Sequence, residues 1–281
     1  MPTSPSNAEL KALASWEWGS ADEHFAQVAD LFETLASSEN VLELTQHLWS
    51  QPDDHMRALG FDLLAVQALN FDWHVAPLIQ EVGTLDHHQT SRRIRWSAAH
   101  ALSTISDDDR ILDPLLEFAQ DSDATIRWLV AKGIPATLDS LPETAIHVLM
   151  NLMRDPDPDV RDMATMALAT RPENDSAEIR DALIERLDDT SAPEADTAGE
   201  AALGLALRHD ERVLPVLIRE LSMPDVGNLY VEAAAELGDA RLWPLLIKLK
   251  VTDWQEDDPR PYLLDQALAS CSESQPPEKQ Q

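Results

Sequence analysis

Asp123-Ala-Thr-Ile126-Arg127-Trp-Leu-Val130 and Asp157-Pro-Asp-Val160-Arg161-Asp-Met-Ala164 are two copies of one short pattern, and this pattern decides the fold. Each copy opens with an aspartate, places Ile or Val three residues later, and then has an arginine. Earlier copies surround Arg57 and Arg95, so the successive arginines are 38, 32 and 34 residues apart. Periods of this length are typical of a stacked array whose units cannot bury their apolar faces alone.

The apolar residues within one copy follow a helical period. The stripe recurs at every third or fourth position and consists of Ile94, Ala98, Ala101, Leu102 and Ile105. An acidic turn at 107–109 separates it from a second apolar segment that begins near Arg110, with Pro114 in its opening turns, where the missing N–H is tolerated. No stretch alternates apolar and polar residues over a useful length, so strands are not expected.

The pattern therefore predicts an all-α fold, a right-handed α-α superhelix of about six helix pairs. Two later copies, around 201–203 and 233–237, keep the interval without the arginine. We place the repeat array at 49–270, an N-terminal helical cap that covers the first repeat at 1–48, and a disordered polar tail at 271–281.

The motif Asp-x-x-[Ile/Val]-Arg-x-x-Ala is followed by Ala-Leu, an acidic turn and a second helix with Pro-Leu. Over residues 50–250 it resembles HEAT-like repeats of the short variety first associated with phycobilin lyases. The resemblance implies an α-solenoid of the ARM/HEAT superfamily. It says little about activity, because such arrays carry different surfaces for different functions.

The charge limits the range of partners. Fifty-one acidic residues against 21 basic ones give a net charge of −30. Such a surface repels phosphate, so neither nucleic acid nor an anionic membrane is expected to bind. A partner protein with a basic patch is compatible with this charge.

Cellular location follows from three sequence features. Cys271 is the only cysteine, so no internal disulfide can form. The first residues, Met1 to Ser6, do not resemble a signal peptide, and no apolar run approaches the ~18 residues of a membrane span. These features predict a cytoplasmic protein.

Three aspartate–arginine pairs form a predicted structural ladder. The pairs are four residues apart and comprise Asp53 with Arg57, Asp123 with Arg127, and Asp157 with Arg161. The aspartate is expected to cap the helix N-terminus, and the arginine to reach that aspartate or an acid of the next repeat. The ladder would fix the angle between stacked repeats.

Two sets of residues are candidates for partner binding. Arg95-Trp96 and Arg127-Trp128 occupy the same position in adjacent copies, and Trp and Arg dominate interface energetics. They either form an exposed recognition patch or fill the seams between repeats. The second set is acidic, belongs to loops that stacking would bring to one edge, and consists of Asp121, Asp123, Asp155, Asp157, Asp159, Asp188 and Asp189. That edge either steers a cationic protein or consists of solvated turns.

No catalytic, cofactor or metal residue is expected. His87-His88 is the only adjacent histidine pair, and the further ligands that zinc needs are missing from its neighbourhood in sequence. The sequence therefore predicts a non-catalytic scaffold or adaptor that binds a protein through its concave or acidic surface. One alternative is an inhibitor or immunity-type protein that occludes a basic enzyme such as a nuclease. Another is a phycobilin lyase-like subunit, which the family resemblance leaves open.

Overall fold

The computed structural model describes residues 5–16, 21–35, 38–66, 74–86, 89–105, 107–135, 138, 140–189, 196–250 and 260–273. These residues form sixteen α-helices with short 3-10 turns, and none of them belongs to a strand. The predicted all-α class is therefore confirmed. The chain divides into two compact units, Met1–Leu138 and Asp139–Gln281.

Each unit contains eight of the described helices. In unit 1 they are α1 (Asn7–Ala14), α2 (Ala21–Thr34), α3 (Ser38–Trp49), α4 (Asp54–Ala65), α5 (Val75–Val82), α6 (Arg92–Ser103), α7 (Leu112–Leu116) and α8 (Ala124–Lys132). In unit 2 they are α9 (Glu143–Leu152), α10 (Pro158–Ala169), α11 (Ala177–Ile184), α12 (Thr197–Leu207), α13 (Leu214–Glu220), α14 (Asn228–Leu237), α15 (Trp243–Leu249) and α16 (Arg260–Glu273).

In unit 1 the first helices of successive repeats stack in the order α4, α6, α8. The predicted apolar stripe of α6 lies inside this stack, since each of its five residues is at most 1% exposed. At the N-terminal end, α1, α2 and α3 pack on α4. Val28 and Leu35 join Met56, Leu59 and Leu63 of α4 in one apolar cluster.

In unit 2, α10, α12, α14 and α16 stack in the same way. The seam between α10 and α12 contains Arg208, which is only 5% exposed. Its guanidinium donates to backbone carbonyls at distances of 2.7 to 3.1 Å, and the acceptors are Leu168, Ala169, Arg171, Asn174 and Gly204. A buried cation thus bonds to the C-terminal end of α10, where the helix dipole is negative.

Four of the first helices in the repeats begin where an aspartate accepts backbone N–H groups. Asp53 caps α4 through the Met56 N–H (3.0 Å). Asp123 and Asp157 cap α8 and α10 through two N–H groups each, and Asp196 caps α12. In these four helices the capping aspartate therefore marks where the helix begins. Helices α6 and α14 begin after Ser91 and Gly227 without a side-chain cap.

The C-terminal boundary differs from the prediction. Helix α16 continues to Glu273, and Cys271, expected to begin the tail, is fully buried. Its thiol donates to the Ala234 carbonyl at 3.5 Å, and burial raises the pKa of this thiol to about 11. Because the residues around Cys271 are polar, the sequence did not indicate that this residue is buried one helical turn after the buried Ala267. Among the described helices, none combines the length and the apolar character needed to cross a bilayer.

Candidate binding face

The arginines of the repeat motif join neighbouring loops. Arg95 donates to the Asp121 carboxylate of the next repeat (2.6 Å) and to the Thr90 carbonyl of its own loop (2.6 Å). Arg161 does the same with Asp189 (2.8 Å) and the Asp155 carbonyl (2.7 Å). Each arginine thus ties one repeat to the next, which is the second of the two partners that the sequence allowed.

The other two arginines of the motif have different partners. Arg127 donates to the Asp121 carbonyl at 2.8 Å, within its own loop. Arg57 lies 3.8 Å from Glu81, the distance of a long ion pair.

Most of the predicted acidic loop residues have hydrogen-bond partners within their own unit. The side chain of Asp121 is 4% exposed and also accepts the Asp123 N–H. Asp155 is buried and accepts the Asp157 N–H in the same way. Of the seven predicted residues, only Asp159 and Asp188 are exposed. Arginines and backbone N–H groups thus occupy most of these carboxylates, and their role in partner binding stays a prediction.

The two tryptophans of the Ile-Arg-Trp motif have different environments. Trp96 is 7% exposed and contacts Trp16 (centroids 5.6 Å apart) and Phe25 (6.2 Å) of the N-terminal region. Trp128 is half-buried, and the Lys132 ammonium lies 5.3 Å from its ring centre. The sequence left open whether these rings are exposed or buried. Trp96 is buried under N-terminal residues, whereas Trp128 is only half-buried.

A buried ionic cluster that the sequence pattern does not indicate lies beside Trp96. Asp62 of α4 has no exposed surface and lies 2.9 Å from His24 of α2. Arg93 of α6 pairs with the same carboxylate and lies 4.8 Å from the Trp16 ring centre. Burial alone would raise the pKa of the Asp62 carboxyl, but the His24 hydrogen bond and the Arg93 charge hold it below its usual value. The only signal in the sequence was an acid within the apolar run 61–64.

His100 completes the cluster on α6. Its ring stacks on Trp96 at 4.9 Å and lies 4.7 Å from Phe25. Its Nδ1 atom is buried and has no hydrogen-bond partner among the described residues. Burial lowers the pKa of His100 to about 4, and the nearby charges of Lys132, Arg93 and His24 act in the same direction, while Asp62 opposes them. The ring is thus neutral at neutral pH.

These side chains belong to one repeating surface. Counting from the motif arginine, His100 on α6 corresponds to Asp62 on α4 and to Lys132 on α8. We call the surface formed by Asp62, Trp96, His100, Trp128 and Lys132 the unit 1 face. Trp16 and α2 cover its α4 and α6 portion, whereas its α8 portion is open, since Lys132 is exposed and Trp128 is only half-buried.

The corresponding positions in unit 2 are acidic. Asp162 on α10 and Glu232 on α14 occupy the position of the tryptophans. On α12 that position is Gly199, and Glu200 comes directly after it. Burial raises the pKa of Glu200 to about 7, and the charges of Asp162, Asp196 and Glu232 add to this effect. The Asp162 carboxylate accepts a hydrogen bond from the Thr197 hydroxyl at 2.9 Å. We call Asp162, Asp196, Glu200 and Glu232 the unit 2 acidic face.

The remaining candidates are a metal site and a surface cavity. The described residues contain no group of three or more His, Cys, Asp or Glu side chains placed to hold a metal ion. His87 and His88, at which no zinc site was expected, lie outside the described residues. A shallow cavity of about 430 Å³ opens between the 209–211 and 237–241 loops, and Arg241 is ion-paired there with Glu211 and Asp239.

Comparison with known proteins identifies the class. Residues 112–204 match the sequence model of HEAT repeats. Together with the stacked helices within each unit, this match shows HEAT repeats over residues 112–204.

The chain is similar to the protein YibA of Escherichia coli. It is 38% identical to YibA of strain K12 and to YibA of O157:H7 over 128 residues, which are 46% of this chain. The matched segment spans 43% of the length of these relatives. An X-ray structure of E. coli YibA aligns over 97% of this chain and 99% of that one, with a TM-score of 0.69 and 23% identity. At this identity, the structural likeness establishes the fold alone.

Proposed function

We propose that this protein is a non-catalytic scaffold that binds a partner protein along the first-helix faces of its repeats. One observation carries the proposal. The unit 1 face is occupied by a polypeptide segment of the same chain, held by stacked aromatic rings and a buried carboxylate. A surface that binds Trp16 and α2 in this manner has the chemistry to bind a helix of another protein.

The open portion of the unit 1 face has the composition of an interface. Trp128 offers a large ring with few rotatable bonds, so little rotamer entropy is lost when the ring is covered. Lys132 lies over this ring and extends the apolar surface with its methylene chain.

The unit 2 acidic face favours a basic partner. Burial raises the pKa of Glu200, and the charges of three neighbouring carboxylates, Asp162, Asp196 and Glu232, raise it further. Lys or Arg side chains of a partner would relieve this repulsion on contact. Electrostatic attraction of this kind raises the association rate and weakens as salt screens it.

The experiment is affinity capture from the native cell extract with substituted baits, read out by mass spectrometry. Trp128→Ser alters the unit 1 face and Glu232→Lys alters the unit 2 acidic face. We expect proteins retained by the wild type to be lost from one or both baits. Loss at Glu232→Lys should affect proteins that elute from the wild type when salt is raised.

Asp225→Lys is the matched control, because it makes the same charge change at an exposed loop residue between α13 and α14. It should retain the wild-type set of proteins. An identical protein set on all four baits would contradict the proposal.

A further inference from the structure

Part of the unit 1 face is covered by a short stretch of the chain itself. We call Trp16 and the Ala21–Val28 part of α2 the N-terminal strap. Its His24 ring stacks on Trp16 at 4.5 Å and bonds to Asp62, while Phe25 lies against Trp96 and His100. The strap thus occupies positions that are open on α8.

The surface under the strap keeps most of its own bonds when the strap leaves. Asp62 and Arg93 pair with each other from α4 and α6, without any strap residue. Arg93 also donates to Ser97 of its own helix. Departure of the strap therefore breaks one hydrogen bond to the carboxylate, that from His24, and withdraws Val28 from the apolar cluster on α4. The buried charge of Asp62 keeps its counterion, Arg93.

The contact between strap and face is incompletely bonded. His100 Nδ1 and Arg93 Nε are buried and lack a hydrogen-bond partner among the described residues. Water would reach both atoms once the strap moved away, and this gain offsets part of the lost stacking. Only one side of the strap is buried, since Asp22, Glu23 and Gln27 on its other side are exposed.

We infer that the N-terminal strap is an exchangeable, autoinhibitory occupant of the unit 1 face, which a partner helix with an aromatic ring and an N–H donor displaces. This inference rests on the proposed function, because it concerns access to the same face. The face selects these two features, since Trp96 and His100 offer ring surfaces and Asp62 offers a buried acceptor. When the strap leaves, the open surface extends continuously from Asp62 on α4 to Lys132 on α8.

The first test is hydrogen exchange with mass spectrometry on the full chain. We expect the amides of α2 to exchange at least about tenfold faster than those of α6, because the strap opens while the repeats stay folded. His24→Ala should accelerate α2 at least about tenfold further and leave α6 unchanged, whereas Gln27→Ala should alter neither. Equal rates in α2 and α6, or a common acceleration of both by His24→Ala, would overturn the inference.

The second test supplies the strap in trans. A labelled peptide of residues 5–35 should bind the full-length Trp16→Ala/His24→Ala variant at least about tenfold more tightly than the wild type, in which the strap competes. The same peptide carrying both substitutions is the control and should not bind. No binding, or equal binding to both proteins or by both peptides, refutes an exchangeable site. Neither test involves a cellular partner, so their failure is distinct from failure of the capture experiment.

Discussion

Replacing Arg208 with alanine should destabilise unit 2 more than any exposed arginine replacement. The side chain is 5% exposed and supplies hydrogen bonds to five backbone carbonyls of α10, its following loop and α12. Burial also lowers the pKa of the guanidinium. The carbonyl oxygens accept hydrogen bonds from the buried guanidinium and so replace the water that it loses. The residue therefore bonds the end of one helix to the next repeat.

The magnitude follows from the acceptors that lose their donor. The Leu168 and Arg171 carbonyls keep a backbone N–H, from Arg171 and Asn174 respectively. For the Ala169 and Asn174 carbonyls, Arg208 is the donor that the described residues provide. Each buried acceptor left without a partner costs about 1–3 kcal/mol, so Arg208→Ala should lower the free energy of unfolding by about 3–4 kcal/mol. Arg208→Lys keeps the charge but not the forked donors and should be intermediate.

The assay is urea denaturation followed by far-UV circular dichroism. Arg154→Ala is the control, because Arg154 is 45% exposed and pairs with Glu185 at 2.9 Å. An exposed pair of this kind contributes less than about 1 kcal/mol. If Arg208→Ala lost no more stability than Arg154→Ala, water would be replacing the guanidinium, and the reasoning from buried carbonyls would be wrong.

Three further outcomes are expected. Trp96→Ala should lower the free energy of unfolding by about 3–5 kcal/mol and Trp128→Ala by about 1 kcal/mol, since only the Trp96 ring is buried. Equal losses for the two variants in urea denaturation would contradict this difference in burial. The pKa of His100 is lowered to about 4, against about 6.5 in the unfolded chain, so its contribution to stability is present above pH ~6.5 and is lost as pH falls towards 4. His100→Phe should therefore flatten the fall in melting temperature between these pH values, and an unchanged slope would assign that fall to other groups. His209→Gly should raise the free energy of unfolding by about 1 kcal/mol, because His209 has a left-handed φ of +48°, where the next repeat has Gly238 at φ +62°. A lower melting temperature would show that contacts of the imidazole contribute more stability than the backbone strain costs.

The fold was predictable because it depends on local periods. The α6 stripe, the capping aspartates and the repeat interval are all visible within short windows of sequence, and the structure has helices at each of them. The end of α16 was not predictable from composition, because Ser and Glu residues surround the one buried thiol at Cys271.

The candidate face was only partly predictable. Trp96 and Trp128 are equivalent in sequence, and the difference between them comes from a segment 71 or more residues earlier that lies outside the repeat pattern. The Asp62 cluster joins residues 31 and 38 positions apart, a pairing that no single repeat encodes. The charges of the loop aspartates can be read from the sequence. Their arginine partners depend on which loops the stacking of the helices brings together, and this is seen only in the structure.

The arginine bonds between loops bear on how the chain acquires its structure. They span only 26 residues from Arg95 to Asp121 and 28 from Arg161 to Asp189. Closing segments of this length loses little entropy, and low contact order favours rapid folding. A polypeptide emerging from the ribosome can therefore dock each newly made repeat on its predecessor long before synthesis has reached the last codon.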